Sequence, residues 1–150
     1  MPHISQTKDF QFEVPEDWTD RTMIAFSAPQ RPEQAAAPNV LIAYDAPREG
    51  ERLKEFAGRQ LDELMKKAKD FYLELRQETE LCGRPAVEVV FEWGTLNTRL
   101  KQRQIHSFLP DGRAITIVYT AAAEDFEWAE PYFALMRDSF RWNETEAVEA

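Results

Sequence analysis

The chain has 150 residues, 43% hydrophobic and 12% aromatic, a composition that folds and that supports one compact core. A net charge of −9 opposes nucleic-acid binding, which needs surplus Lys and Arg to neutralise phosphates, and it opposes adhesion to anionic lipid. No run reaches the roughly 18 apolar residues of a membrane span. The opening MPHISQTKDFQF lacks the basic and apolar regions of a signal peptide, and Cys82 is the single cysteine, so the expected setting is a reducing cytoplasm.

Taken in chain order, FQFEV (Phe10 to Val14) alternates apolar and polar residues and predicts a half-buried strand, closed by the turn PEDW with Pro15 at its head. TMIAFSA (Thr22 to Ala28) predicts a second strand. PQRPEQAAAP then spends three prolines on a surface loop. NVLIAYDA (Asn39 to Ala46) is apolar almost throughout and predicts a strand buried on both faces. From about Glu51 to Lys69 apolar residues recur at helical spacing. Leu61 and Met65 are expected on the core side, and Gln60 falls inside the apolar arc beside Phe56 and Leu64.

Four successive strands follow, FYLELRQETEL, RPAVEVVFEW, NTRLKQRQIHSFL and GRAITIVYTA. CGRP, GTL and PDG separate them, connections short enough to require antiparallel pairing. PYFALMRDSFRW closes the fold as a second amphipathic helix with Pro131 near its first turn. Residues 1–8 and 143–150 are expected to fray. The pattern predicts one α+β domain over residues 1–150, a mainly antiparallel sheet with one long and one C-terminal amphipathic helix.

Catalytic chemistry finds little to hold. Cys82 and His106 could in principle form a thiolate–imidazole pair, but a buried cysteine near a turn and a structural strand histidine explain them more simply. His3, His106 and Cys82 lack ligand spacing, no glycine-rich loop cradles phosphate, and Glu74, Glu78, Glu80, Glu88 and Glu92 read as solvated strand faces. The four tryptophans are expected to anchor the core, with Trp18 and Trp93 near turns as candidates to line a groove. The expectation is therefore a protein that is not an enzyme and needs no metal or cofactor.

One strand does not fit this bland picture. On NTRLKQRQIHSFL, Leu100, Gln102, Gln104, His106 and Phe108 share a face, and two amides on a half-apolar face require partners. With Gln60 they either cap backbone groups at a sheet edge or line a groove that takes an apolar helix. Composition alone leaves both readings open, as it leaves open whether Gln102 and His106 face such a groove.

FQFEVPEDWTDRTMIAFS, CGRPAVEVVFEW, HSFLPDGRAITIVYTA and the closing Phe-rich helix resemble the DcrB-like superfamily, and within it are similar to the Eag chaperones of bacterial type VI secretion. The resemblance spans about Phe10 to Trp142 and implies a PsbP-like α+β fold that works as a homodimer. It implies a cytoplasmic chaperone that shields the N-terminal transmembrane helices of a PAAR-containing effector and helps load it on the VgrG spike. The groove residues it implies are Ile24, Phe26, Leu41, Gln60, Leu64, Ala68, Leu100 and Gln104. The alternative is a PsbP-like binding module for a soluble partner, analogous to Ran-binding relatives, which would need a charged contact face. Lipoproteins that share the fold carry an N-terminal lipobox, a motif this opening lacks.

Overall fold

The computed structural model describes residues 9–143 together with the strand pairing of residues 3–6. The elements in chain order are β1 (His3–Gln6), β2 (Gln11–Val14), β3 (Met23–Ser27), β4 (Asn39–Asp45), α1 (Leu53–Lys67), β5 (Tyr72–Leu81), β6 (Arg84–Gly94), β7 (Arg99–Phe108), β8 (Ala114–Ala122) and α2 (Phe126–Ser139). β1 and β2 form a separate hairpin, and β1 lies upstream of the first strand expected from the sequence. The other six strands make one antiparallel sheet in the order β3-β4-β8-β7-β6-β5. The α+β class and the four-strand meander are therefore as expected. Apart from β1 and Asn143, the expected fraying of the two ends falls outside the described residues.

The helices lie on opposite faces of the sheet. α2 covers the face built by Val40, Ile105, Ile117 and Tyr119, into which Phe126 and Phe133 project, with the Tyr119 and Phe133 rings 5.1 Å apart. α1 rests on β6 and β7 of the other face. Leu61 packs on Val89 and Phe91 there, while Phe56 meets His106 and Phe108 edge-on. At 100° per residue Phe56, Leu53, Gln60, Leu64 and Leu61 fall within about 140° of helix circumference. Met65 lies outside that arc and is exposed, not on the core side. At the start of α1 Glu55 reaches back to accept from the Arg52 backbone N–H at 2.9 Å and from its side chain, and Arg59 hydrogen-bonds Glu51 just before the helix, holding the Glu51 carboxyl down at about 2.

Three further expectations need correction. α2 begins at Phe126, and Pro131 sits inside it, not in its first turn. Pro131 lacks the N–H that would bond the Glu127 carbonyl, but the amphipathic spacing of Phe126, Ala129 and Phe133 holds the helix on the sheet across the gap. β4 buries only Val40 fully, because its α1-side face has no helix above it and its neighbour β3 is an edge. Of the four tryptophans only Trp93 and Trp142 pack against the core, and only from its margin. Trp18 and Trp128 are exposed, Trp93 is half-buried beside Phe91, and Trp142 fastens the segment after α2. Its indole N–H donates to the Leu81 carbonyl at 2.7 Å while the Arg84 guanidinium stacks 3.9 Å above its ring.

Charge also enters the α2 side. Arg103 bonds Glu88 at 2.6 Å and approaches Glu130 at 3.9 Å, and Glu130 in turn pairs with Arg137, so β6, β7 and α2 are joined by a chain of four alternating charges.

The turn from β6 to β7 supplies a test of the backbone. Gly94 has φ +122°, and a Cβ at this position would run into the Thr98 carbonyl oxygen. Gly94→Ala should therefore destabilise the fold by more than about 1 kcal/mol, since both the conformation and the space exclude a side chain. A lowered urea midpoint with an unchanged slope is the expected readout.

Candidate apolar face beside the long helix

Cross-strand register decides which side chains share a face, because directly paired residues in an antiparallel sheet point the same way. On β7, Leu100, Gln102, Gln104, His106 and Phe108 point to the α1 side. Their partners on β8 are Ala122, Thr120, Val118, Thr116 and Ala114. Val118, Thr116 and Thr120 pair onward with Leu41, Ala43 and Asn39 of β4, and Leu41 pairs with Ala25 of β3. This face thus has two halves. α1 covers β6 and β7, and among the described residues no helix covers β8, β4 and β3. Leu41, Ala43 and Val118 are only half-buried there.

The amides stand at the boundary between the halves. Gln104, 7% exposed, donates through Nε2 to the Gln102 Oε1 at 2.9 Å. Among the described residues that bond is the one side-chain hydrogen bond of the pair, and Gln60 of α1 makes none. Gln60 lies on the Phe56 side of α1, the side that meets β7, and so on the flank nearer the open half. The glutamines are not edge caps, because β7 is an interior strand of the sheet. Together with Leu41 and Val118 they make an apolar strip with unspent amide donors and acceptors along one margin.

His106 belongs to the covered half. It is 1% exposed, its Nδ1 is 2.8 Å from the Thr116 hydroxyl oxygen, and its Nε2 has no partner among the described residues. Burial against Phe56 pushes its pKa down to about 4, so it stands neutral and structural. Cys82 is remote from it. It is exposed, not buried as expected, in the β5–β6 turn with φ +47°, and its thiol donates to the Phe140 carbonyl at 2.8 Å on the α2 side. The two do not form a thiolate–imidazole pair.

Six of the eight groove residues implied by the resemblance lie on the α1 side: Leu41, Leu100 and Gln104 on the sheet, and Gln60, Leu64 and Ala68 on or just after the helix. Leu64 packs into the cluster with Val89 and Phe91 and so lines the covered half. Ile24 and Phe26 are not part of this face. They pair with Ile42 and Val40, whose side chains lie on the α2 side, so the eight do not line one groove. The positions that sequence reasoning missed are Ala43, Thr116, Val118 and Thr120. Their signal was present, because in AITIVYTA the Thr, Val and Thr positions alternate with the bulkier Ile115, Ile117 and Tyr119.

Residues 10–131 match the model of the DcrB family. Among solved structures the chain is similar to PA94 of Pseudomonas aeruginosa, a protein of unknown function, with a TM-score of 0.80 at 19% identity, covering 96% of this chain and 99% of that one. It is also similar to the Ran-binding protein Mog1p of Saccharomyces cerevisiae, TM-score 0.54 at 9% identity over 88% and 83% of the two chains. CyanoP, the PsbP of Synechocystis sp. PCC 6803, aligns with a TM-score of 0.52 at 10% identity over 95% and 92%. These likenesses establish a PsbP-like α+β fold. No curated protein matches the chain. Among the described residues no helix is long and apolar enough to cross a membrane.

Proposed function

From the premise that the chain belongs to the DcrB family, we propose that it is a chaperone of the Eag type. In this reading it works in the cytoplasm as a homodimer, holds the transmembrane helices of a PAAR-containing effector soluble, and assists loading on the VgrG spike. The observation that carries the reading is the width and chemistry of the uncovered strip on β8, β4 and β3. Strands about 4.8 Å apart make this strip roughly 10 Å across, the width of one α-helix with its side chains. A helix laid there would run beside α1 at an ordinary interaxial distance, with Leu41, Ala43 and Val118 beneath it and the glutamines along its flank.

Each Leu-sized client side chain buried on the strip contributes about 1.5–3 kcal/mol. Gln60, Gln102 and Gln104 meet the small polar groups that transmembrane helices carry for packing on one another, so the strip accepts a membrane helix with its Ser and Thr residues satisfied. A positively or negatively charged strip would do neither.

Co-purification of an effector's N-terminal apolar-helix fragment tests this. Leu41→Lys and Val118→Lys, each with unchanged melting, should reduce retained fragment at least tenfold, while Lys67→Glu on the solvent side of α1 should not. Full retention by both folded strip variants would place the client elsewhere. A protein that prefers a soluble partner over the apolar fragment would favour the binding-module reading.

A further inference from the structure

The two edges of the sheet are unlike. β5 carries Glu74, Arg76, Glu78 and Glu80 and an irregularity between Leu73 and Leu75, features that discourage another strand from pairing with it. β3, Met23–Ser27, has neither charge nor proline nor bulge, and all five residues are exposed. Its hydrogen-bonding direction is fixed by its flanks. The Tyr44 N–H donates to the Thr22 carbonyl at 3.2 Å and the Ala28 N–H to the Pro38 carbonyl at 2.8 Å, so even-numbered residues bond β4. Met23, Ala25 and Ser27 therefore turn their N–H and C=O groups outward, and among the described residues no strand receives them.

Two concavities lie on the α2 face of this edge, one at each outward-leaning side chain. Phe26, 68% exposed, borders a cavity of about 300 Å³ walled by Pro29, Trp128, Tyr132 and Met136. Ile24 borders another of about 540 Å³ with an apolar floor from Ile42, Ile115 and Phe140. Its rim carries Arg84, Arg113 and Arg141. Arg113 pairs with Asp111 and Asp20, but Arg84 stacks on Trp142 and Arg141 bonds only backbone carbonyls, so among the described residues neither has a carboxylate partner. In a chain of net charge −9 this is a local excess of positive charge. Ile24 and Phe26 are two residues apart, about 6.8 Å along a strand, and every second side chain of an added strand has the same spacing.

We propose that β3 is a strand-addition site for an extended peptide segment of a partner protein, one with an apolar aromatic side chain for the Phe26 cavity and a carboxylate side chain for the arginine-rimmed cavity beyond Ile24. Main-chain bonds to Met23, Ala25 and Ser27 supply affinity and the two cavities supply sequence preference. The two cavities lie on the face opposite the apolar strip beside α1, so the sequence preference they impose is tested separately from the chaperone reading.

The test uses two blocked heptapeptides on the full chain. In both, Phe and Glu stand two residues apart in an otherwise all-threonine sequence, in that order in one peptide and reversed in the other, to cover parallel and antiparallel addition. One of them should bind and slow amide exchange at Met23, Ala25 and Ser27 at least tenfold while leaving Ile24 and Phe26 unchanged. Replacing its Glu by Lys should weaken binding at least fivefold on the unaltered protein. Ala25→Pro, which removes an outward N–H and no bond to β4, should abolish binding. Absence of binding by both peptides at millimolar concentration, or binding without protection of those three amides, overturns the proposal. So does protection that rises with protein concentration alone as the chain sediments as a dimer, because the occupant is then a second copy.

Discussion

Phe56→Ala should destabilise the protein by about 3–5 kcal/mol, as expected for emptying a fully buried aromatic site. A protein of this size has about 5–15 kcal/mol in all, so the variant should retain little stability at 37 °C. Phe56 is 0% exposed, and it is the wedge between α1 and the C-terminal half of β7, with ring centroids 5.8 Å from His106 and 5.9 Å from Phe108. Removing it leaves a void over an imidazole whose Nε2 has no partner among the described residues, and water entering that void should raise the pKa of His106. Urea unfolding at pH 7 measures the first effect. A histidine titration by NMR measures the second, and a His106 that still titrates near 4 in this variant would mean that Phe56 is not what keeps it dry.

Acid should remove about 3 kcal/mol of stability through His106 alone. The imidazole of the unfolded chain takes up a proton near 6.5, whereas the folded one, desolvated under α1, does so only near 4. Between these values the unfolded state binds more protons. The contribution is therefore complete above about pH 6.5, declines as pH falls through the window, and is gone below about 4. Carboxylates add their own acid sensitivity, so the comparison that isolates His106 is the difference in unfolding free energy between the parent and His106→Leu across pH 4 to 7. That difference should change by about 3 kcal/mol over the window. A difference independent of pH would show that His106 is hydrated in the folded state.

Local order was legible from the chain because alternation and helical spacing are local properties. The four-strand meander, the long helix and the shared face of Leu100, Gln104 and Phe108 all follow from residues within ten positions of each other. Parity between strands was not legible. Ile24, Phe26 and Leu41 fall in two adjacent apolar strands, and whether they share a face depends on a register set by the loop over residues 28–38. Had that loop been set one residue differently, Ile24 would pair with Leu41. As built it pairs with Ile42, which sends Ile24 and Phe26 to the α2 side. The order of the strands was likewise beyond local pattern, since β8 lies beside β4 across a long intervening stretch. Gln60 was placed inside the apolar arc of α1 by spacing alone, but that one half of the sheet below has no helix above it could be known only from where α1 comes to rest.

The four charges that tie β6, β7 and α2 together restrict how such a chain can diverge. Glu88, Arg103, Glu130 and Arg137 are each mostly shielded from solvent, and each neutralises a neighbour. Losing Arg103 or Glu130, the two inner members, leaves Glu88 or Arg137 partly buried without its counter-charge, at a cost of about 1–3 kcal/mol. A set of apolar residues of similar volume would serve the packing equally well. The intermediates between the two solutions are the unstable ones, so a lineage that changes one codon at a time is held to the ionic version. Descendants are expected either to keep all four charges or to have replaced them together, and a three-charge remnant without Arg103 or Glu130 should occur only where a compensating cation or anion has arisen on α2.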